Sequence, residues 1–239
     1  THCTSSAASD VYKRQGLLYR DPKTNEYLPN LATAYKWVDS KTLQFDLRKG
    51  VKFHNGEKFD ADDVVFTLNY LGDPANGAKP ARNVNWWNNA EKLGEYKVQL
   101  NLKKEFPAAL EFLSGPLVMY PNDYYSKNGP EGMALKPVGT GPYQVTSVEP
   151  GKRYKFKKYD GYHASSPKGK ASIGNIVIRT IAESNTQLAE LFSGGIDWIW
   201  KVKPDQAERI KSQGAFTVKN SSTMRIGYLN FDAMGRHSK

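Results

Sequence analysis

The chain has 239 residues, of which 39% are hydrophobic, and it carries a formal net charge of +10. This length suffices for one large or two ordinary domains, and the apolar content argues against wholesale disorder. No apolar run reaches the roughly 18 to 20 residues that a membrane-spanning helix needs, and the single cysteine, Cys3, can form neither an internal disulfide nor a metal site alone.

The first segment, residues 1–15, reads THCTSSAASDVYKRQ and shows no hydrophobic periodicity. It lacks the apolar core of a signal peptide, and Cys3 is not preceded by the small apolar residues of a lipoprotein site. It resembles translated sequencing-adapter sequence, so we expect a non-native segment and leave it out of the fold. An ordinary disordered N-terminus is the alternative.

The stretch 41–73 predicts a strand, a hairpin return and a helix. Leu43, Phe45 and Leu47 alternate with polar residues, as in a half-buried strand. An Asn-Gly turn follows at 55–56, where both residues tolerate positive φ. A helix over 60–73 then begins at the N-cap Asp60, with Asp63 in the position of a capping-box partner.

The rest of the chain mixes strands with short helices and predicts a mixed α/β (α+β) fold. Residues 72–95 are read as a long polar loop, which places Trp86 and Trp87 at the surface as contacts for a ligand, with core packing as the alternative. Trp198 and Trp200 are expected in the core. The further predicted strands cover 96–104, 143–149, 152–159, 175–181, 216–221 and 224–233, and the further helices 107–115, 184–193 and 203–214.

Four residues near the hairpin invite a catalytic interpretation: His54, Asp60, Asp62 and Asp63. Their spacing matches neither an EF-hand loop nor the H-E-x-x-H motif. We favour a structural role, because carboxylates in a first helical turn complement the helix dipole. A metal-dependent hydrolase using these four residues is kept as an alternative.

Two further patterns bear on ligand class. VGTGPY at 138–143 lacks the third glycine and the Lys-Ser/Thr pair of a phosphate-binding loop, and it precedes a strand instead of a helix. GKRYKFKKY at 151–159 alternates basic and aromatic residues, which is typical of a strand with one solvated face. A basic nucleic-acid-binding domain is the second alternative that the charge leaves open.

Four segments, in the same order along the chain, resemble sequence markers of the family 5 extracellular solute-binding proteins of bacterial ABC importers. The first is LATAYKWVDSKTLQFDLRKGVKFHNGEKFDADDVVFTL at 31–68, and the second is PVGTGPYQV at 137–145. The third is NTQLAELFSGGIDWI at 185–199, and the fourth is YLNFDA at 228–233. The matching positions of the first and third markers are Leu47, Arg48, Gly50, Val51, Lys52, Phe53, Asn55, Gly56, Phe59, Ala61, Asp63, Val64, Leu191, Gly195, Ile196 and Asp197.

This resemblance implies a type II periplasmic-binding-protein-like fold that is incomplete here, with the second lobe missing. It implies an accessory domain at 16–130, part of the first binding lobe at 131–233 and a truncated tail at 234–239. With the lobes incomplete, we expect the chain as given to bind a solute weakly or not at all.

The resemblance also implies a receptor without catalysis, cofactor or metal, acting as a monomer without nucleic acid. It would lie in the periplasm or outside the cell, associated with the envelope, with the signal peptide absent from this piece. It would pass a peptide or related small solute to the membrane subunits of an ABC permease. The residues expected to contact the solute are Trp86, Trp87, Thr140, Tyr143, Tyr228 and Asn230.

Overall fold

The fold is given by a computed structural model that describes residues 14–78 and 80–220. The described residues form two compact units, one ending at residue 180 and one beginning at residue 181. The strands are β1 (Leu18–Arg20), β2 (Tyr27–Pro29), β3 (Ala32–Asp39), β4 (Thr42–Leu47), β5 (Trp87–Gly94), β6 (Lys97–Leu102), β7 (Tyr143–Glu149), β8 (Arg153–Lys158) and β9 (Asn175–Arg179). The helices are α1 (Ala61–Gly72), α2 (Ala109–Ser114), α3 (Asn122–Leu135), α4 (Ser184–Phe192) and α5 (Pro204–Ser212). The domain boundary predicted at residue 130 stays a prediction.

The first unit is built on a four-stranded antiparallel sheet with the order β3-β4-β6-β5. Its core face follows from the alternation in β4 and β6, because successive side chains of a strand point to opposite faces. Leu43 pairs with Leu100 and Phe45 with Val98, and all four side chains are buried. The alternation predicted for both strands is confirmed.

Helix α1 packs against this sheet and begins where the sequence predicts. The Asp60 carboxylate accepts a hydrogen bond from the Asp62 backbone N–H at 2.9 Å, and the Asp63 carboxylate accepts one from the Asp60 N–H at 2.9 Å. This reciprocal arrangement is the predicted capping box. The buried residues Val64 and Leu68 are one helical turn apart and carry the contact with the sheet.

The predicted polar loop at 72–95 is wrong over its second half. Residues 87–94 form strand β5, which pairs with β6 along its length. The polar side chains of β5 lie on the solvent face, while Trp87 and Ala90 are buried. The polar composition of residues 87–94 did not indicate a strand, because an edge strand with one solvent-exposed face can be as polar as a loop.

A second, three-stranded antiparallel sheet closes the first unit, with the order β7-β8-β9. Tyr154 and Phe156 of β8 are buried together with Tyr143, and they form a small apolar cluster separate from the main core. The basic residues between them point to the opposite, exposed face. The prediction of a strand with one solvated face at 151–159 is confirmed.

The second unit holds helices α4 and α5 around a small core of Leu188, Leu191 and Ile210. Ser184 is the first helical residue of α4 and follows Glu183, so the predicted N-cap at Ser184 or Asn185 is displaced by one or two residues. Residues 216–220 have no regular structure, and the strand predicted at 216–221 is wrong over these residues. The strand predicted at 224–233 lies outside the described residues.

Candidate functional site

Two of the sequence markers meet through His54. The His54 ring Nε2 lies 2.9 Å from the Gly141 carbonyl oxygen, and the His54 backbone N–H donates to the Gly139 carbonyl at 2.8 Å. Since a carbonyl only accepts, Nε2 carries the proton, and burial lowers the His54 pKa to about 4. The Tyr159 ring packs edge-on against the imidazole at 4.9 Å. The hairpin that contains His54 is therefore fixed to the turn at residues 138–143, which we call the glycine turn. His54 and Gly141 are 87 residues apart in the sequence.

The carboxylates beside His54 serve the ends of two helices. Asp63 Oδ1 accepts a hydrogen bond from the Asn122 backbone N–H at 2.8 Å, at the start of α3, while Oδ2 closes the cap of α1. Burial raises the Asp63 pKa to about 7. Asp62 faces solvent and pairs with Lys92 at 2.7 Å. Within 14–78 and 80–220, no group of three His, Cys, Asp or Glu residues could hold a metal ion.

Thr140 and Tyr143, predicted as solute contacts, are both buried in the first unit. Thr140 is 1% exposed, and its Oγ1 has no hydrogen-bond partner within the described part of the chain. Tyr143 is 6% exposed, and its hydroxyl donates to the Ile173 carbonyl at 3.0 Å. Neither side chain is open to a solute in this structure.

Trp86 and Trp87 are core residues, and the prediction that they present a contact surface is wrong for this structure. Trp87 is 1% exposed, and its indole N–H donates to the Leu68 carbonyl at 3.1 Å. Trp86 is 4% exposed, packs edge-on against Trp87 at 4.7 Å and stacks on Phe106 at 4.8 Å. The alternative of core packing is the correct one, because the two indoles fill the space between α1, β5 and the 106–112 segment. Tyr228 and Asn230 lie outside the described residues.

The second unit reverses the expectation for Trp198 and Trp200. Trp198 is 66% exposed and Trp200 is 38% exposed, and their rings contact each other edge-on at 4.9 Å. Ile199 between them packs against the core of α4 and α5 instead. The side chains of this segment alternate as predicted, but Ile199 faces the core and the two tryptophans face solvent.

A cleft of about 220 Å³ opens in the first unit, and its cationic groups come from distant parts of the sequence. Arg14 is 7% exposed, and its guanidinium lies over the Tyr120 ring at 4.7 Å. The Lys168 ammonium lies 5.9 Å from the centre of the Tyr19 ring. The residues that line the cleft are Arg14, Gly16, Tyr19, Arg20, Asn30, Glu111, Ser114, Gly115, Val118 and Lys168.

The charged residues of the lining are three cations, Arg14, Arg20 and Lys168, and one acid, Glu111. Arg20 is paired with Glu111 at 2.7 Å, and Glu111 is the only acidic residue in the lining. Burial lowers the Lys168 pKa to about 8, and a bound anion would raise it again because it stabilises the charged ammonium. No local motif could have indicated this cleft, since Arg14 and Lys168 are brought together only by the fold.

A sequence model of the bacterial extracellular solute-binding proteins, family 5 (middle region), matches residues 26–236. The chain belongs to this family. The matched range contains the hairpin, the glycine turn and both helices of the second unit, so all four markers lie within it. The resemblance drawn from those markers is confirmed.

Individual family 5 relatives are binding proteins for different solutes. The dipeptide-binding protein of Escherichia coli K12 is 27% identical over 260 residues, which covers 97% of this chain and 47% of that protein. The glutathione-binding protein GsiB of E. coli O1:K1 is 28% identical over 198 residues, which covers 81% of this chain and 37% of GsiB. NikA of Brucella suis, solved in complex with Fe(III)-EDTA, superposes with a TM-score of 0.76 at 28% identity over 90% of this chain and 43% of NikA.

The chain thus spans less than half the length of the family 5 proteins that it matches. Over that span the mixed α/β architecture is the one seen in solved family members, which confirms the predicted fold class. Among the described residues, no helix is long and apolar enough to cross a membrane.

Proposed function

We propose that the chain is part of the solute-binding component of an ABC importer. The observation that carries the proposal is the family match over residues 26–236, within which the first two markers are joined by the His54–Gly141 hydrogen bond. Relatives with comparable similarity are named for a dipeptide and for glutathione. The solute we propose is therefore a peptide or a related small molecule with an ionised group.

The proposed function is binding without catalysis. The carboxylates that an alternative metal-dependent hydrolase would use are occupied otherwise, since Asp60 and Asp63 cap helices and Asp62 pairs with Lys92. Burial also lowers the His54 pKa to about 4 and leaves its imidazole neutral, with Nε2–H donating to a carbonyl. The family that matches and the relatives named above are binding proteins.

Within the described residues, we place the anionic part of the solute in the cationic cleft at Arg20 and Lys168, because Arg14 belongs to the segment 1–15 that is predicted to be non-native. The cleft combines partial burial with positive charge, and an ion pair gains strength where water is partly excluded. Tyr228 and Asn230 remain predicted contacts of the same solute. Delivery to permease subunits, a monomeric state and a periplasmic or extracellular location complete the proposal.

The proposal is tested on the protein encoded by the whole genomic reading frame that contains this chain. A panel of solutes is added to this protein. A solute that binds the native state raises the melting temperature, by an amount that corresponds to about 2.7 kcal/mol at a hundredfold excess over Kd. We expect stabilisation by dipeptides, glutathione or another small anion. If no solute of the panel changes the melting temperature, the proposal fails.

The cleft is tested separately in the same protein. Lys168→Ala should weaken binding of an anionic solute roughly tenfold, because a charged hydrogen bond or ion pair is lost at a partly buried site. Lys170→Ala is the matched control, since Lys170 is exposed two residues away and is absent from the lining. Equal affinities of the two variants would remove the cleft from the proposed site and leave the receptor function standing.

A further inference from the structure

The positive charge of the chain is concentrated in one segment. Between residues 151 and 180 there are eight lysine and arginine residues and one acidic residue, Asp160. This stretch of 30 residues therefore carries a net +7 of the +10 of the whole chain. The proposed solute-binding function uses only Lys168 of this set, so most of the charge has no assigned role.

The three-stranded sheet orders this charge on one face. In β8 the exposed residues Arg153, Lys155 and Lys157 alternate with the buried Tyr154 and Phe156, so the three basic side chains share the outer side. The neighbouring strand β9 adds Arg179, which pairs directly with Arg153 in the antiparallel register. We name Arg153, Lys155 and Lys157 the basic sheet face.

Among the described residues, one carboxylate pairs with the basic sheet face. Glu149 of β7 pairs with Arg153 at 2.6 Å. Lys155 and Lys157 extend into solvent without an ion-pair partner among the described residues. Across from Lys155 stands Val177, an exposed apolar side chain that is 53% accessible. The surface is thus an array of cations with one small apolar residue beside it.

The spacing of this array fits a plane of negative charges. Basic residues two positions apart on β8 lie about 6.8 Å apart, and neighbouring strands lie about 4.8 Å apart. Flexible, exposed lysines suit a diffuse layer of charges, whereas a shaped anion site would need converging, buried donors. Basic residues near an anionic bilayer surface each contribute favourably to binding, and the attraction is screened by salt.

We propose that the basic sheet face docks on a bilayer surface containing negatively charged phospholipids. The choice of lipid as the partner rests on the proposed location beside the cell membrane, but the test does not depend on any solute. Docking through this face would hold the protein near the membrane, where a permease could be reached by diffusion in two dimensions.

Vesicle flotation of the 239-residue chain tests the proposal. Vesicles of phosphatidylcholine with 30% phosphatidylglycerol are compared with vesicles of phosphatidylcholine alone, at about 0.05 M and 0.5 M salt. We expect binding only to the anionic vesicles at low salt. The double variant Lys155→Glu/Lys157→Glu should lower the partition coefficient by about tenfold or more, because two attractive charges are replaced by two repulsive ones.

The matched control is Lys103→Glu/Lys104→Glu, which makes the same change of charge at two exposed lysines outside the basic sheet face. The control should retain most of the binding, and circular dichroism establishes that both variants are folded. Equal loss in the two double variants would assign binding to net charge and overturn the proposal. Absence of binding to anionic vesicles, or binding to DNA but not to vesicles, would overturn it as well.

Discussion

His54 and Gly141 are joined by a hydrogen bond of 2.9 Å between the imidazole Nε2 and the carbonyl oxygen. The bond connects a hairpin that follows the first sheet strands with a glycine turn that begins the second sheet. Burial makes the bond strong and its loss costly, since an unpaired buried carbonyl keeps its desolvation penalty. The most recognisable residues of the sequence thus stabilise the framework.

Replacement of His54 by leucine should destabilise the chain by about 1–3 kcal/mol, because the Gly141 carbonyl loses its donor. Urea unfolding measures the change through the transition midpoint. Lys52→Ala in the same hairpin is the control, because Lys52 is exposed and should change the free energy of unfolding by less than about 0.5 kcal/mol. Equal midpoints for His54→Leu and the parent chain would show that the bond contributes nothing.

The same histidine predicts a pH dependence. Its pKa is about 4 in the folded chain, below the ordinary value of 6.5. The unfolded state therefore binds more protons between pH 4 and 6.5, and the His54 contribution to stability falls as the pH drops through that range. In His54→Leu this contribution is absent, so the difference in unfolding free energy from the parent should shrink as the pH falls from 6.5 to 4. A constant difference across that range would contradict the assigned burial.

Asp63 predicts a dependence of opposite sign. Burial raises its pKa to about 7, above the ordinary 3.8, so the folded state binds more protons between pH 4 and 7. The Asp63 contribution to stability therefore decreases as the pH rises through that window. Asp63→Asn does not titrate, and its deficit relative to the parent should become smaller as the pH rises from 4 to 7.

Asp62→Asn is the control for this measurement. Asp62 is exposed and pairs with Lys92 at the surface, where an ion pair contributes little. Its unfolding free energy should follow that of the parent chain across the same range of pH. If the unfolding free energies of Asp63→Asn and the parent change equally with pH, the pKa of Asp63 is not shifted in the folded chain.

The two tryptophan pairs give a contrast within one chain. Trp87→Ala should destabilise the first unit by about 3–5 kcal/mol, since a buried indole is removed and the Leu68 carbonyl loses its donor. Trp198→Ala removes a side chain that is 66% exposed and should cost less than about 0.5 kcal/mol. Thermal unfolding followed by circular dichroism compares them, and a larger effect at Trp198 would reverse the assignment of core and surface.

The sequence predicts this fold best where the local pattern and the burial agree. The hydrophobic residues of β4 and β6 alternate with polar ones because one face of the sheet is buried, as Leu43 and Phe45 show. The capping residues Asp60 and Asp63 indicate the start of α1. The pattern fails in β3, where every residue after Ala32 is exposed. This strand is specified by pairing with β4, which leaves no hydrophobic alternation to detect.

Helix α3 was not predicted because its sequence contains two features that usually end helices. Gly129 has a φ of 64°, and Pro130 follows it, so the helix is kinked at this point. The start of α3 also depends on Asp63, 59 residues earlier, which accepts the hydrogen bond of the Asn122 N–H. A contact of this range leaves no trace in the local sequence.

The candidate site was harder to predict than the fold, for the same physical reason. The cationic cleft unites Arg14 with Lys168, and neither residue belongs to a motif. Trp86 and Trp87 were predicted as solute contacts, but both are buried. Large aromatic side chains are common in cores, so their presence in the sequence does not indicate a binding site. Family membership was readable because its markers are structural elements with strict local requirements.

The central claim is that this protein binds a small solute and releases it unchanged. Isothermal titration of the whole reading frame with the solute that raises its melting temperature, followed by chromatography of the recovered solute, tests the claim directly. We predict saturable binding of about one solute per protein, with the solute recovered intact after prolonged incubation. Conversion of the solute to a product, or the absence of saturable binding by every solute of the panel, would contradict it.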